Sequence, residues 1–293
     1  MDKNTKFVFF GTPEFAAIVL EKIIAAGFIP SAVLCNPDRP VGRKKIITPP
    51  PTKVLAEKNN IKVYQPEKLE ISPPAGGLDL EIGKIDFAVV AAYSKIIPKK
   101  ILEIPRLGTI GVHPSLLPKY RGASPIQSAI LAGEKETGVT LFLTDEKVDH
   151  GPILAKRELT MTNDDDYDNL QKRLADLAAD LLIETLPKFL TGEIKPRTQN
   201  ESEATYTKKF RAEDGFVDLE ILRQAQDGTS PGQPEIILRK IRALNPEPGV
   251  WTIIPPTGGG KRTKILEAEI ANGKLRIKKI QIEGGKQKNL SPT

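Results

Sequence analysis

The stretch Asp86-Phe87-Ala88-Val89-Val90-Ala91-Ala92 is apolar on both of its faces. A strand without a polar face is stable only inside a sheet covered above and below. Phe7-Val8-Phe9-Phe10 has the same character and runs through Gly11-Thr12-Pro13 into a segment where Phe15, Ala16, Val19, Leu20 and Ile23 recur at helical spacing, a β-turn-α unit. Residues 31–35 read as a second strand, 52–59 as a helix, 61–64 as a short third strand and 109–112 as a further buried strand. Apolar strands alternating with helices specify a doubly wound, mostly parallel, Rossmann-like α/β sheet. In such sheets ligands bind beyond the carboxyl ends of the strands. His113 follows Val112 at one of those ends.

Downstream, 124–132 reads as helical, 138–143 as a strand, and Asp149 lies in the loop returning to 153–155. The amphipathic run 167–190, with Leu170, Leu174, Leu177 and Leu181 along one stripe, is expected to cover a face of the sheet and end the first domain. A length of 293 residues exceeds one ordinary domain. The expected organisation is a catalytic domain over 1–190, a polar linker over 191–206 and a second domain over 207–293. Within the last, 223–235 is rich in Gln, Gly, Ser and Pro and reads as an exposed insertion, and 236–244 as a short helix. The alternating segments 265–270, 274–277 and 279–282 predict a small C-terminal β-barrel of OB-like type.

The single cysteine, Cys35, has no partner for an internal disulfide, and no segment reaches the apolar length of a membrane span. A cytoplasmic location is expected. The net charge of +6 is concentrated: between Lys261 and Lys288 nine basic residues face three acids. An isolated basic run is ordinarily a solvated face, and a polyanionic partner becomes credible only if another feature calls for one.

Gly11-Thr12-Pro13-Glu14 follows a first strand and opens a helix, yet it lacks the two further glycines that let a backbone approach a pyrophosphate, so a nicotinamide or flavin cofactor is not expected. Two histidines and one cysteine at unrelated spacings do not make a metal site. Ser115 and Ser124 have no nucleophile-elbow glycines. What remains is His113 and Asp149, an imidazole and a carboxylate placed to meet at the ends of neighbouring strands and to move a proton during transfer of a small acyl group. Singly, a strand-end histidine is more often structural and a loop aspartate a turn former, and their joint placement is what carries the reading. His150, beside Asp149, is a secondary candidate that points elsewhere.

Several motifs resemble the methionyl-tRNA formyltransferase family: Phe9 to Ala16, Asn36-Pro37-Asp38-Arg39-Pro40-Val41-Gly42-Arg43, His113-Pro114-Ser115-Leu116-Leu117-Pro118 with Arg121-Gly122, and Asp149-His150-Gly151. The likeness continues through Thr205-Tyr206-Thr207-Lys208-Lys209 and the stretch from Ile241 to Trp251, so it spans nearly the whole chain. The resemblance implies transfer of the formyl group of 10-formyltetrahydrofolate to the α-amine of methionine esterified to initiator tRNA, by a monomer and without a metal. It implies that Ser115, Leu116, Leu117 and Pro118 border the folate, and that Tyr93, Ser94 and Ile96 line its pterin pocket. Asp149 would take part in proton transfer and His113 would face the formyl oxygen. Arg43, Lys44 and Lys45 would meet the tRNA acceptor end, with the basic second domain on the tRNA backbone. Alternatives are formylation of another amine, such as an amino-sugar nucleotide or a purine precursor, and a folate- or RNA-binding homologue of weakened activity.

The second alternative arises from Gly111, which stands two residues before His113 where the family pattern has Asn. Losing one oxyanion donor costs on the order of a hundredfold in rate, roughly 3 kcal/mol, when nothing replaces it. Asn36 or another polar side chain substitutes, water fills the space beside the glycine, or the protein has become a slow enzyme or a binding protein; a retained enzyme is the expectation. The second domain stops at Thr293 soon after its last strand, from which a missing terminal segment is expected.

Overall fold

The computed structural model describes residues 5–42, 44–69, 85–255 and 260–290. In chain order the elements are β1 (Phe7–Gly11), α1 (Glu14–Ala25), β2 (Ala32–Leu34), β3 (Arg39–Val41), β4 (Ile46–Thr48), α2 (Pro51–Lys58), β5 (Lys62–Tyr64), β6 (Phe87–Ala91), α3 (Lys99–Leu102), β7 (Thr109–His113) and β8 (Arg121–Gly122). There follow α4 (Pro125–Ala132), β9 (Glu136–Leu143), β10 (Ile153–Thr160), α5 (Tyr167–Leu190), β11 (Tyr206–Thr207), α6 (Leu219–Asp227), α7 (Gln233–Leu244), β12 (Val250–Ile254), β13 (Lys261–Ala271), β14 (Lys274–Ile282) and β15 (Gln287–Asn289).

Seven strands form one sheet in the order β10-β9-β7-β6-β1-β2-β5. From β5 to β7 every pairing is parallel, and β9 and β10 close the other edge antiparallel. This is the expected mostly parallel doubly wound sheet. Its central strands are apolar throughout because both faces are covered: Phe7, Phe9, Phe87 and Ile110 are fully buried, and Phe7 stacks on Phe87. α1 seats Phe15, Val19, Leu20 and Ile23, and α5 seats Leu170, Leu174, Leu181 and Leu186. An Asp86 carboxylate ties the start of β6 to Lys6 N and to Arg106 Nη2, each at 2.9 Å.

By contact the chain groups into one unit of 1–121, 136–160 and 171–206 and another of 122–135, 161–170 and 207–293. The second unit holds a four-stranded antiparallel sheet in the order β12-β13-β14-β15. β14 is a single strand where two short ones were expected, and a register shift at Glu267 accommodates its pairing with β13. Most of the expected insertion at 223–235 is helical instead. Asp218 caps α6 by accepting from Glu220 N and Ile221 N, and Leu222 and Ala225 supply its buried face, a spacing hidden by the polar composition around it.

Candidate active site

His113 ends β7 with its side chain 7% exposed. Its Nε2 lies 2.9 Å from the carbonyl of Tyr120. A carbonyl only accepts, so Nε2 carries the proton and Nδ1 is the ring nitrogen turned to the site. Nδ1 lies 3.6 Å from Asp149 Oδ2. The two expected residues, 36 positions apart in the sequence, are thus brought together.

Their convergence is not a simple meeting at the ends of adjacent strands. Thr144 N donates to Thr109 O (2.8 Å), so the loop 144–152 leaves β9 beside the N-terminal end of β7 and has to fold back along the strand to reach His113. Asp149 itself has left-handed backbone, φ 47°. At Gly151 an added Cβ would lie 1.7 Å from Leu143 O, so only glycine permits the loop to close this tightly. His150 is turned to other partners, with Nδ1 at 2.6 Å from Asp145 Oδ2 and Nε2 at 3.5 Å from Glu201 Oε1.

The segment 115–118 is fastened from several sides. Ser115 Oγ donates to Lys119 O (2.6 Å), Thr140 Oγ1 donates to Ser115 O (2.7 Å) and accepts from Leu117 N (3.0 Å), and Lys156 Nζ donates to Leu117 O (3.0 Å). Ser115, Leu117 and Pro118 are buried, while Leu116 packs against Gly138, where an added Cβ would come within 2.6 Å of its Cδ2. The Ser115 hydroxyl is therefore committed to holding the loop's shape.

Tyr93, Ser94 and Ile96 follow β6 and do not act as one wall. Tyr93 packs edge-on against Phe10 at 5.6 Å, Ser94 accepts from Asn36 Nδ2 at 2.9 Å, and Ile96 is 92% exposed. The Tyr93 hydroxyl and Asn36 Oδ1 are buried polar atoms that meet no hydrogen-bond partner among the described residues. Burial pushes the Tyr93 phenol up to about 12. Burial also pushes the nearby Cys35 thiol up to about 11, against a hydrogen bond with Thr52 that lowers it. It remains a protonated thiol at neutral pH.

Lys44 and Lys45 lie exposed in the turn of the β3–β4 hairpin, and Arg43 is outside the described residues. The hairpin base is tied down by Lys53 on Asp38 (2.9 Å) and Arg39 on Glu67 (3.0 Å). Hydrogen bonds from Gln65 and then Lys53 hold the Asp38 carboxyl below its usual range. Among the basic residues of the second unit, Lys278 and Lys279 pair with Glu269 and Glu267 at 2.8 Å each, and Arg262 stacks on Trp251 at 4.2 Å.

Gly111 is paired across the antiparallel ladder with Phe142. An added Cβ would fall 2.4 and 2.5 Å from Phe142 Cε1 and Cζ. The Phe142 ring occupies the space where a side chain at this position would start, and position 111 offers no side-chain donor. The Asn36 amide nitrogen is already hydrogen-bonded to Ser94.

The residues that the sequence did not single out are Tyr120, Thr140 and Gln199. Each acts through a backbone carbonyl or a buried hydrogen bond, which leaves no periodicity to read; only the Thr205-Tyr206-Thr207 resemblance pointed toward the last of these segments.

Residues 5–186 match the model of the formyl transferase family, and residues 233–275 match that of the formyl transferase C-terminal domain. The methionyl-tRNA formyltransferase of Enterococcus faecalis is 43% identical over 253 residues, 85% of this chain and 75% of that protein. Among solved structures, methionyl-tRNA formyltransferase from Clostridium thermocellum superposes with a TM-score of 0.61 at 19% identity, covering 95% of this chain and 98% of that one. An N-formyltransferase from Helicobacter canadensis, solved with folinic acid and dTDP-3-aminofucose, gives a TM-score of 0.63 at 20% identity over 92% of this chain and 88% of its own. At those identities the two structures establish the shared fold.

Proposed function

The chain belongs to the formyl transferase family and, within it, to the methionyl-tRNA formyltransferases, and from that membership we propose that it moves the formyl group of 10-formyltetrahydrofolate onto the α-amine of initiator methionyl-tRNA. The observation that carries the reading is the approach of His113 Nδ1 to Asp149 Oδ2 at 3.6 Å. The folate would supply an electrophilic formyl carbon.

Two groups fit such a ligand. The buried Tyr93 hydroxyl and Asn36 Oδ1, just past the ends of β6 and β2 and without partners among the described residues, can satisfy a heteroaromatic ring that carries both donors and acceptors. Leu116 and the backbone of 115–118 would border it.

His113 and Asp149 then divide the proton work. Attack of an amine puts negative charge on the formyl oxygen and positive charge on nitrogen. Because Tyr120 O fixes the proton on Nε2, neutral His113 presents only a lone pair at Nδ1. A second proton, taken up from water onto Nδ1, turns that nitrogen into a donor to the oxygen. The Asp149 carboxylate takes the proton that the amine sheds and passes it to the folate nitrogen as the intermediate collapses and the bond from that nitrogen to the formyl carbon breaks, so that tetrahydrofolate leaves as a neutral amine. No step in this sequence calls on a metal. Lys44 and Lys45, with Arg43, would meet tRNA phosphates, positioning the acceptor end without reading bases.

The Phe142 ring over Gly111 favours a second reading, a homologue that binds folate and RNA and turns over slowly. Incubating the purified protein with methionyl initiator tRNA and 10-formyltetrahydrofolate separates the readings. Formyl-methionyl-tRNA formed over many turnovers supports the enzyme, and binding without product at high protein concentration supports the second. Turnover of a small amine in the absence of tRNA would instead redirect the substrate assignment.

A further inference from the structure

Two non-glycine residues at the candidate site have left-handed backbone: Tyr120, φ 61°, whose carbonyl meets His113, and Asp149 itself, φ 47°. Such conformations persist only where the surroundings over-determine them. Both are held by the same segment, 199–205. Thr205 Oγ1 accepts from Tyr120 N (2.8 Å), Thr205 O accepts from Arg121 N (2.8 Å), and Thr205 N donates to Pro118 O (3.2 Å). At the other end, Gln199 Nε2 donates to Asp149 O (2.9 Å) and to Gly151 O (2.8 Å).

Gln199 is itself oriented. Its Oε1 accepts from Arg121 Nη2 (2.8 Å) and Nε (3.2 Å). Arg121 is fully buried, and its remaining donors reach Glu201 (3.0 and 2.6 Å) and the Tyr206 hydroxyl (3.1 Å), so all five N–H groups are used. An amide is the side chain that accepts from a guanidinium on one end while donating two hydrogens to carbonyls on the other. A carboxylate would lose the donors, and an amine would oppose the arginine.

We propose that Gln199, aimed by the buried Arg121, is a positioning residue that holds Asp149 against His113. The proposal rests on the formyl-transfer reading and adds to it that the strap 199–205 sets the separation of the reacting groups. Tyr120, whose carbonyl fixes His113 Nε2, is held by the same strap, so both halves of the pair share one support.

Two substitutions test this. Gln199→Glu keeps the Arg121 contact and removes the donors; Gln199→Met removes both at similar length. Misplacing a reacting group by about 1 Å costs up to about a hundredfold, so each variant is expected to lower kcat about 10- to 100-fold per folded molecule. KM for tRNA and for folate should stay within about threefold, since Gln199 is buried and its amide is committed to Arg121, Asp149 and Gly151. A kcat within about twofold of wild type, or a change confined to KM, overturns the proposal. An inactive wild type would reject the formyl-transfer reading instead. The crystal structure of Gln199→Met then decides the strap's role alone: the Asp149 to His113 separation lengthens beyond 3.6 Å if Gln199 sets it and stays unchanged if it does not. Should one variant not fold, the other carries the same comparison.

Discussion

Replacing Gly111 by Asn restores the residue of the family pattern, and the structure predicts that the change alone does harm. The new Cβ would enter at 2.4 and 2.5 Å from two carbons of the Phe142 ring, far inside the contact distance of about 3.5 Å. Phe142 is 3% exposed and sits in β9 directly across the ladder from Gly111, so the ring has little room to yield. Overpacking of this kind costs about 1–3 kcal/mol, and each kcal/mol lowers the melting temperature of a domain this size by about 2–4 °C. Phe142→Ala alone empties a ring-sized space and costs about 3–5 kcal/mol. The double variant seats the amide in that space, so its loss should fall short of the sum by at least about 1 kcal/mol. Its amide becomes available beside His113, and kcat should rise above that of Phe142→Ala by up to about a hundredfold. Melting curves and formyl transfer for the four proteins read the cycle. Gly111→Asn melting with wild type and turning over at least as fast would refute the reasoning, as would strictly additive losses.

Tyr93→Phe removes a buried hydroxyl that has no partner among the described residues; the melting temperature should hold or rise, while KM for folate increases, and an unchanged KM would take the hydroxyl out of the folate site. The Asp86 carboxyl is held below its usual range by the hydrogen bond from Arg106 and then that from Lys6 N. Its contribution is present above the unfolded value of about 3.9 and is lost as pH falls through the lower folded value, so the stability gap between wild type and Asp86→Asn should narrow steadily on acidification below about pH 4; a gap independent of pH would contradict this. Lys44→Ala with Lys45→Ala should raise KM for tRNA and flatten its salt dependence with KM for folate unchanged; equal effects on both substrates would remove the turn from the RNA-binding surface.

The sheet was legible because its central strands are apolar on both faces, a pattern that no half-exposed strand produces. The β3–β4 hairpin was not, since Val41, Ile46 and Ile47 are all more than half exposed and record no burial. Helix α6 was obscured by Gln, Gly, Ser and Pro residues around a sparse apolar stripe, whereas α7 was legible over 236–244 and exceeds that reading only by its first three residues. His113 and Asp149 could be named because an imidazole and a carboxylate are side chains of the kind that move protons, and the residue types are themselves the signal. Phe142 could not, because its meeting with Gly111 depends on an antiparallel register that is fixed only once β7 and β9 pair. Gln199 lay in a polar stretch with the composition of a linker, and its weight comes from being buried there.

The central claim is that one carboxylate, delivered by a folded-back loop to the imidazole at the end of β7, carries the proton transfer. Single-turnover formation of formyl-methionyl-tRNA by wild type and Asp149→Ala, with melting curves to confirm equal folding, tests it directly. The account predicts product from wild type and a rate at least about a hundredfold lower from the variant. A variant that is fully folded and transfers formyl at the wild-type rate would contradict it.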